Sequence, residues 1–177
     1  MTENGKIIEK AFELSKEYEK TCTGCAQSVV AGLLDAFEIE NDDVFRAASG
    51  LADGIGLTAD GSCGALIGGA MFIGLLVGRK RKDHQDMMKP MKSYLMCAVL
   101  HQDFIERYGS CRCHDIQKKL MGRTFNLLDP QDLKAAAEYK MMEHCSGVVA
   151  TAAMKTAELI LADETSKKGT EDTPDGQ

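Results

Sequence analysis

The sequence carries no excess of basic residues and no recognisable export signal. Its 21 Lys and Arg stand against 27 Asp and Glu, which gives a formal net charge of −6. A surface that neutralises phosphates needs a basic excess, so this balance argues against a general nucleic-acid binder. The opening MTENGKIIEK lacks the cationic segment and apolar core of a signal peptide, and no twin-arginine stretch is present. We therefore expect a cytoplasmic protein.

The sequence also lacks any convincing stretch of alternating apolar and polar residues, the pattern of a half-buried strand. Apolar residues instead recur three or four positions apart, which predicts an all-α fold: a compact bundle of about six to eight helices. A chain of 177 residues forms one domain and can bury a core without disulfides. We predict this single helical domain over residues 1–162. Residues 163–177 have almost no apolar side chains and are expected to be a disordered acidic tail.

Helix boundaries are indicated by capping residues and by the apolar stripes. Asn41 is a predicted cap for the third helix, and Asp129-Pro130 is a predicted start for a late one. The last helix is expected to resume after a break near residues 143–147. On the helix over residues 91–108, the predicted inner face consists of Tyr94, Leu95, Ala98, His101, Phe104, Ile105 and Tyr108.

A glycine-rich segment runs from Gly50 to Gly78. Its first half reads as a loop, and its second half as a helix capped by Ser62. The 16 uncharged residues from Cys63 to Gly78 are shorter than the roughly 20 that a membrane span needs, so we predict a fully buried central helix and no span. The basic run that follows is interpreted as a solvated connection behind the helix carboxyl end.

Seven cysteines are the chemically distinctive residues of this chain. In a reducing cytoplasm they are expected to stay free, so metal binding or redox chemistry is favoured over a disulfide framework. Four of them, Cys25, Cys63, Cys113 and Cys145, stand at predicted helix starts. Unpaired N–H groups and the helix dipole favour thiolate there. If the four starts converge, they would suit a thiolate-ligated metal, most naturally an iron–sulfur cluster. Cys97 and His101, four residues apart, are interpreted as a buried thiol and a core histidine.

Glycines next to these cysteines would let backbone N–H groups approach the sulfurs; they are Gly24, Gly61, Gly64 and Gly147. The spacing alone fits neither a compact ferredoxin motif nor a zinc finger.

Several motifs together resemble a known family. "GCAQSV", "GxCGALIGGAMFIGLLVG", "F…YGSxxCxxI" and "C…VV…AA…AELI" resemble the redox-active proteins named for the pattern C_GCAxxG_C_C. The resemblance runs from about Gly24 to Leu161, and it implies that the family's four recurring cysteines are Cys25, Cys63, Cys113 and Cys145. The family is also similar to the amino-terminal iron–sulfur region of split-Soret cytochromes, which implies a helical cluster-binding domain that forms a homodimer.

The chain departs from the family pattern in two ways. The last glycine of the named motif falls on Val29, whereas "CGALIG" at residues 63–68 supplies a full CGAxxG. Cys22 and Cys111 are additional, and are candidates for alternative ligands or resolving thiols. No C-x-x-C-H is present, so covalent haem is not expected.

Three functions remain open from the sequence. The first is an iron–sulfur protein for electron transfer or a redox accessory role, working with a redox partner protein. The second is a thiol–disulfide oxidoreductase that uses Cys22 and Cys25, although the βαβ context of a thioredoxin is missing. The third is a structural zinc or metal-binding module. We also expect the glycine faces Gly64/Gly68 and Gly74/Gly78 to allow close helix packing in a homodimer.

Overall fold

The chain folds into eight α-helices without a strand, across the part of it that the structure describes. This computed structural model describes the backbone of residues 2–171 and the side chains of residues 2–164. The all-α prediction is confirmed. The helices are α1 (Glu3–Thr21), α2 (Cys25–Ala36), α3 (Asp42–Ala47), α4 (Gly64–Val77), α5 (Met91–Tyr108), α6 (Cys113–Met121), α7 (Pro130–Glu138) and α8 (Met141–Glu171).

Local sequence determines several helix starts. The side chain of Thr2 accepts a hydrogen bond from the N–H of Gly5, and Asn41 Oδ1 accepts one from the N–H of Val44 at 2.9 Å. Asp129 Oδ1 accepts from the N–H of Gln131 at 2.7 Å, with Pro130 as the first helical residue. Each cap satisfies an N–H group that has no partner inside its helix. The predicted caps at Asn41 and Asp129 are confirmed.

The core forms where α8 packs against α1, α2 and α4, and α5 closes the outer side of α4. Small residues allow these helices to approach closely. A Cβ on Gly32 would overlap Ser15 of α1, and one on Gly68 would lie 2.6 Å from the carbonyl oxygen of Ala26 in α2. Glycine is therefore required at both positions, because any larger side chain would push the helices apart. The Gly64/Gly68 face is thus used inside the chain, and the homodimer stays a prediction.

The prediction of a fully buried α4 was wrong: even within its first ten residues, Ile67, Ala70 and Met71 are only partly buried. Gly74, Leu75 and Leu76 are exposed, because α4 extends beyond the helices that cover its first turns. Ser62 does not cap the helix either. It forms an isolated antiparallel bridge with Arg112, and Cys63 takes the capping position without a side-chain bond.

The predicted inner face of α5 was partly wrong. Tyr94 and Leu95 are 58% and 62% exposed, and Ala98 and His101 are exposed as well. The buried side of the helix is offset by about one position, and its fully covered residues are Ser93, Leu100 and Phe104. Cys97 is half-buried and faces the carbonyl of Ala70 in α4, so it does not join His101 in a common site.

We predicted a break in the last helix near residues 143–147, but the helix is continuous there. The turn lies earlier, at Lys140, whose φ of 54° reverses the chain before α8 begins at Met141. Open space surrounds Gly147, and the helix accommodates it. At the other end α8 runs to Glu171, past the predicted domain boundary at 162, and residues 172–177 lie outside the described part of the tail.

One described helix, the Met141–Glu164 stretch of α8, has the length and apolar composition of a membrane span, although over half of its apolar window is buried inside the fold. Core helices of soluble proteins share these properties, so the finding is weak evidence for a span. The predicted location in the cytoplasm stays a prediction.

Candidate functional site

Four cysteines from four parts of the chain border one cavity of about 370 Å³. Cys25 is the first residue of α2, Cys63 directly precedes α4, and Cys113 is the first residue of α6. Cys145 lies in the second turn of α8 rather than at its start, because that helix begins four residues earlier than predicted. The structure therefore brings together the four cysteines that the sequence singled out.

Two short segments hold Cys63 and Cys113 in a shared backbone arrangement, which we call the clamp: residues 59–63 and 111–114. The N–H of Cys63 donates to the carbonyl of Cys111 at 2.8 Å, and the N–H of Cys113 donates to that of Gly61 at 3.0 Å. His114 N–H adds a third bond, to Ala59 at 2.8 Å. These three bonds tie the start of α6 to the start of α4.

The loop that leads into the clamp has an unusual backbone. Consecutive residues from Asp53 to Leu57 all have positive φ, as does Ala59. For residues other than glycine, this left-handed conformation costs about 1 to 2 kcal/mol each. A bond within the loop, from Ala59 N–H to the carbonyl of Asp53 at 2.7 Å, and the bond from His114 N–H to Ala59 hold the loop in place. Strain of this kind collects where surrounding structure fixes functional groups.

Asp53 lies at the centre of the polar contacts in this cavity. Its N–H donates to Cys25 Sγ at 3.5 Å, and its Oδ1 accepts from Cys113 Sγ at 3.1 Å. Gln117, also buried, donates both to Asp53 Oδ1 and to Cys113 Sγ. Asp53 is only 5% exposed, and its Oδ2 has no hydrogen-bond partner among the described residues. One residue thus connects two candidate ligands from different helices.

Glu19 is a second buried carboxyl group beside the thiols. It is 2% exposed and accepts a hydrogen bond from Ser28 Oγ at 3.0 Å. Burial raises the pKa of Glu19 to about 7, although the Ser28 bond works against that rise. Sequence reasoning missed both Glu19 and Asp53. The four-residue spacing of Ala11, Ser15 and Glu19 was the signal for Glu19, because it marks the face of α1 that packs inward.

Burial is the main influence on the pKa of two of the four thiols, Cys25 and Cys145, and it raises both values. The hydrogen bond to Cys63 raises the pKa of Cys113, and burial adds to it. The pKa of Cys63 is lowered, first by the hydrogen bond from Cys113 and then by the N–H groups of Ala65 and Leu66. The expectation that helix starts favour thiolate at all four positions was therefore wrong except at Cys63.

The predicted glycines play different roles. A Cβ on Gly64 would overlap Cys25 Sγ, so glycine at this position makes room for the sulfur. Gly24 has a φ of 94° and forms the left-handed entry to α2, which allows Cys25 to open that helix. A Cβ on Gly147 would contact none of the thiols, so glycine is not needed there to make room for a sulfur.

The additional cysteines lie away from the cavity lining. Cys22 is exposed at the end of α1 and borders a separate pocket with Tyr18 and Asp35. Cys111 is half-buried and packs against the main core, where its carbonyl oxygen supports the clamp. Within residues 2–164 no three His, Cys, Asp or Glu side chains are close enough to hold a single metal ion.

Comparison with known protein families gives a match that covers most of the chain. The family model described as "Putative redox-active protein (C_GCAxxG_C_C)" matches residues 23–159, which include all four cavity cysteines. The chain belongs to this family. C_GCAxxG_C_C membership supports a redox role.

An uncharacterised protein of Archaeoglobus fulgidus is 32% identical over 117 residues, which cover 63% of this chain and 77% of the relative. No solved structure matches. The family match thus supports a redox role for this C_GCAxxG_C_C protein.

Proposed function

We propose that this C_GCAxxG_C_C protein binds an iron–sulfur cluster through Cys25, Cys63, Cys113 and Cys145, and serves in electron transfer or a redox accessory role. The observation that carries the proposal is that these four thiols, separated by tens of residues in sequence, border one cavity of about 370 Å³. Four cysteine thiolates are the common ligand set of such clusters.

The surroundings of the thiols fit this group. The N–H of Asp53 donates to Cys25 Sγ, and the N–H groups of Ala65 and Leu66 help to lower the pKa of Cys63; N–H bonds to sulfur tune the potential of a cluster. The remaining lining is largely apolar, with Leu57, Leu120, Leu127, Met142 and Val148 among its residues. An apolar shell limits solvent access. A bound metal would also offset the cost of burying thiolates, since it holds the deprotonated sulfur.

When bound, the cluster would accept and release single electrons. The protein's own part is to hold the four sulfurs on separate elements, to donate N–H bonds to them and to exclude water. A zinc module remains the second candidate, because the same four thiolates would form a closed site. It would require the sulfurs to move together, since no three of the described ligand-type side chains are close enough for one ion.

The thiol–disulfide alternative at Cys22 and Cys25 has less support. Cys25 lines the cavity, whereas Cys22 is exposed and borders a different pocket. Thr23 and Gly24 between them both have positive φ, which turns the chain at this point.

The test is iron and labile-sulfide content, with a visible spectrum, on anaerobically purified protein. We expect a brown protein with iron and sulfide in similar amounts, whereas a colourless protein with one zinc would favour the second candidate. Replacement of each cavity cysteine by Ser should reduce bound iron to about a tenth or less, because a missing thiolate opens the site. Cys97→Ser is the matched control and should keep its iron. Full metal retention in any two of the four variants would exclude the single site.

A further inference from the structure

The end of α4, the loop over residues 78–90 and the start of α5 lie together at one end of the molecule, because α4 packs on α5 and the loop joins them. We call residues 75–95 the hairpin tip. Twelve large apolar side chains are exposed in the part of the chain that the structure describes, and seven of them belong to this tip. They are Leu75, Leu76, Met87, Met88, Met91, Tyr94 and Leu95. Single exposed apolar residues are ordinary on a surface, whereas a concentration of them marks a contact surface.

The hairpin tip also carries a run of positive charge. Residues 79–92 contain six Lys and Arg against two Asp, a formal charge of +4 in a chain whose total is −6. Lys80, Arg81 and Lys82 are exposed, and within residues 2–164 no ion pair joins them to an acidic side chain. These cations are therefore available to an anionic partner.

Hydrogen bonds hold the loop of the hairpin tip in a folded conformation. Arg79 Nη1 donates to the carbonyl of Asp86 at 2.9 Å. The carboxylate of Asp86 accepts from the N–H of Met88 at 2.9 Å and from that of Lys89 at 3.2 Å. Met87 and Met88 nevertheless remain 82% and 71% exposed. One short folded loop thus presents apolar side chains and cations together.

We propose that the hairpin tip docks on an anionic lipid surface. Met87 and Met88 enter the headgroup region, and the cations of residues 79–82 face the negative charges of the lipids. Apolar side chains beside Lys and Arg are typical of surfaces that bind peripherally to membranes, and an anionic leaflet attracts cations close to it. The contact is an attachment at the surface and involves no membrane span.

Other partners suit the hairpin tip less well. A two-fold contact with a second copy through the tip would bring the same cations close to each other, which costs energy. A nucleic acid would pair with the cations but would leave the exposed methionines and leucines without an apolar partner. The proposal goes beyond the proposed cluster and does not rest on it, because no residue of the tip lines the thiol cavity.

Sedimentation with lipid vesicles tests the proposal on the full chain. One set of vesicles is phosphatidylcholine with about a third phosphatidylserine, and the other is phosphatidylcholine alone. We expect the protein to sediment with the anionic vesicles only, and to be released as salt rises, because salt screens the attraction. Equal binding to both sets, or no binding to the anionic vesicles at low salt, would overturn the proposal.

A charge variant tests the role of the cations. Combined replacement of Lys80, Arg81 and Lys82 by Gln should weaken vesicle binding about a hundredfold, since each cation near an anionic surface contributes about fivefold. The matched control replaces Lys6, Lys10 and Lys134 by Gln, which removes the same charge from exposed positions on α1 and α7. It should lose no more than about threefold. Equal losses in the two variants would mean that binding follows net charge alone, and would contradict docking through the tip.

An apolar variant tests the second part of the contact. Met87→Ser should weaken vesicle binding about fivefold, because a buried apolar side chain is lost from the contact. Leu128→Ser is the matched control, since Leu128 is 68% exposed but lies outside the tip, and it should bind as the parent does. Equal affinity of Met87→Ser and the parent would contradict insertion of the loop.

Sedimentation equilibrium and iron content complete the test. A dimer that dissociates in Met87→Ser, together with an absence of vesicle binding, would assign the tip to a second copy and overturn the proposal. Tighter binding to duplex DNA than to the anionic vesicles would overturn it as well. All variants should keep the iron content of the parent, because the tip lies outside the thiol cavity. Failure of vesicle binding would thus leave the proposed cluster standing.

Discussion

The cavity has two walls made from different kinds of backbone. One, the clamp with the loop from Asp53 to Ala59, is irregular, contains left-handed residues and supplies hydrogen-bond partners for Cys25, Cys63 and Cys113. The other consists of α1 and α8, regular helices that contribute Glu19 and Cys145. The main causes of the raised pKa of Cys145 are burial and neighbouring acidic groups and thiols. The irregular wall therefore arranges the sulfurs, whereas the helical wall mainly encloses them.

The largest expected effect on stability comes from Gly54→Ala in the irregular wall. Gly54 has a φ of 70°, and a Cβ there would lie 2.7 Å from the backbone of Ala59. Left-handed strain and the clash together should lower the free energy of unfolding by roughly 4 kcal/mol. Gly56→Ala is the control: its φ is 60° but open space surrounds it, so only strain of about 1 kcal/mol remains. Urea unfolding of both variants measures this, and equal losses would show that the packing of the loop is unimportant.

The next test lies where the walls meet, at Gly64. A Cβ there would overlap Cys25 Sγ and come within 2.7 Å of the Leu51 carbonyl oxygen. Gly64→Ala should cost about 3 kcal/mol of stability and displace Cys25. Gly74→Ala on the same helix meets open space and should stabilise by up to about 1 kcal/mol, because alanine is the better helix former. Thermal unfolding of the pair gives the sign of each change; stabilisation by Gly64→Ala would contradict the observed packing.

A third test addresses the helical wall through pH. The pKa of Glu19 is about 7 in the folded chain, above its ordinary value of 4.5, because the group is buried. Between these values the folded chain holds a proton that the unfolded chain has lost, so stability falls as pH rises and stays lower above pH 7. Glu19→Gln should remove this fall, which is roughly 2 to 3 kcal/mol.

The control for Glu19 is Glu17→Gln, an exposed position two residues earlier on α1, which therefore lies on the opposite side of the helix from Glu19. Its stability should follow the pH dependence of the parent. Stability of the metal-free proteins is measured by urea unfolding from pH 4 to 9. A Glu19→Gln profile that still falls across this window would show that another group causes the loss.

The smallest expected effect concerns the outer side of the clamp. Arg112 pairs with Asp60 there, and both side chains are substantially exposed. Because exposed ion pairs contribute little, Asp60→Asn should lower the melting temperature by no more than about 2 °C. A much larger drop would mean that this pair, rather than the three backbone hydrogen bonds, holds Cys63 and Cys113 together.

The sequence predicted best what local chemistry determines. Asn41 and Asp129 cap their helices because a short polar side chain reaches an N–H two or three residues ahead, and no distant contact is needed. The candidate cysteines followed from helix starts and from family motifs. In contrast, Asp53, Ile55 and Leu57 take left-handed backbone in a loop that is closed by its own hydrogen bonds and by contacts of Asp53 with Cys25 and Cys113, and nothing in their own residue types predicts it.

The α5 face was misassigned for a related reason. Tyr94 and Leu95 are as apolar as core residues, but α4 covers the neighbouring side of the helix through Cys97 and Leu100. Periodicity identifies the helix, whereas the choice between adjacent faces depends on the partner helix. The predicted site lacked Asp53 and Glu19 for the same reason. These two residues join the cysteines only when the fold brings α1, α6 and the loop together.

The bridge between Ser62 and Arg112 joins two points that lie 50 positions apart, with α4 and α5 in between. Closing so long a loop costs chain entropy before its three backbone bonds can repay it. We therefore expect α4 to pack on α5 before Cys63 and Cys113 meet. A newly made chain would thus complete its thiol site after most of its helical core.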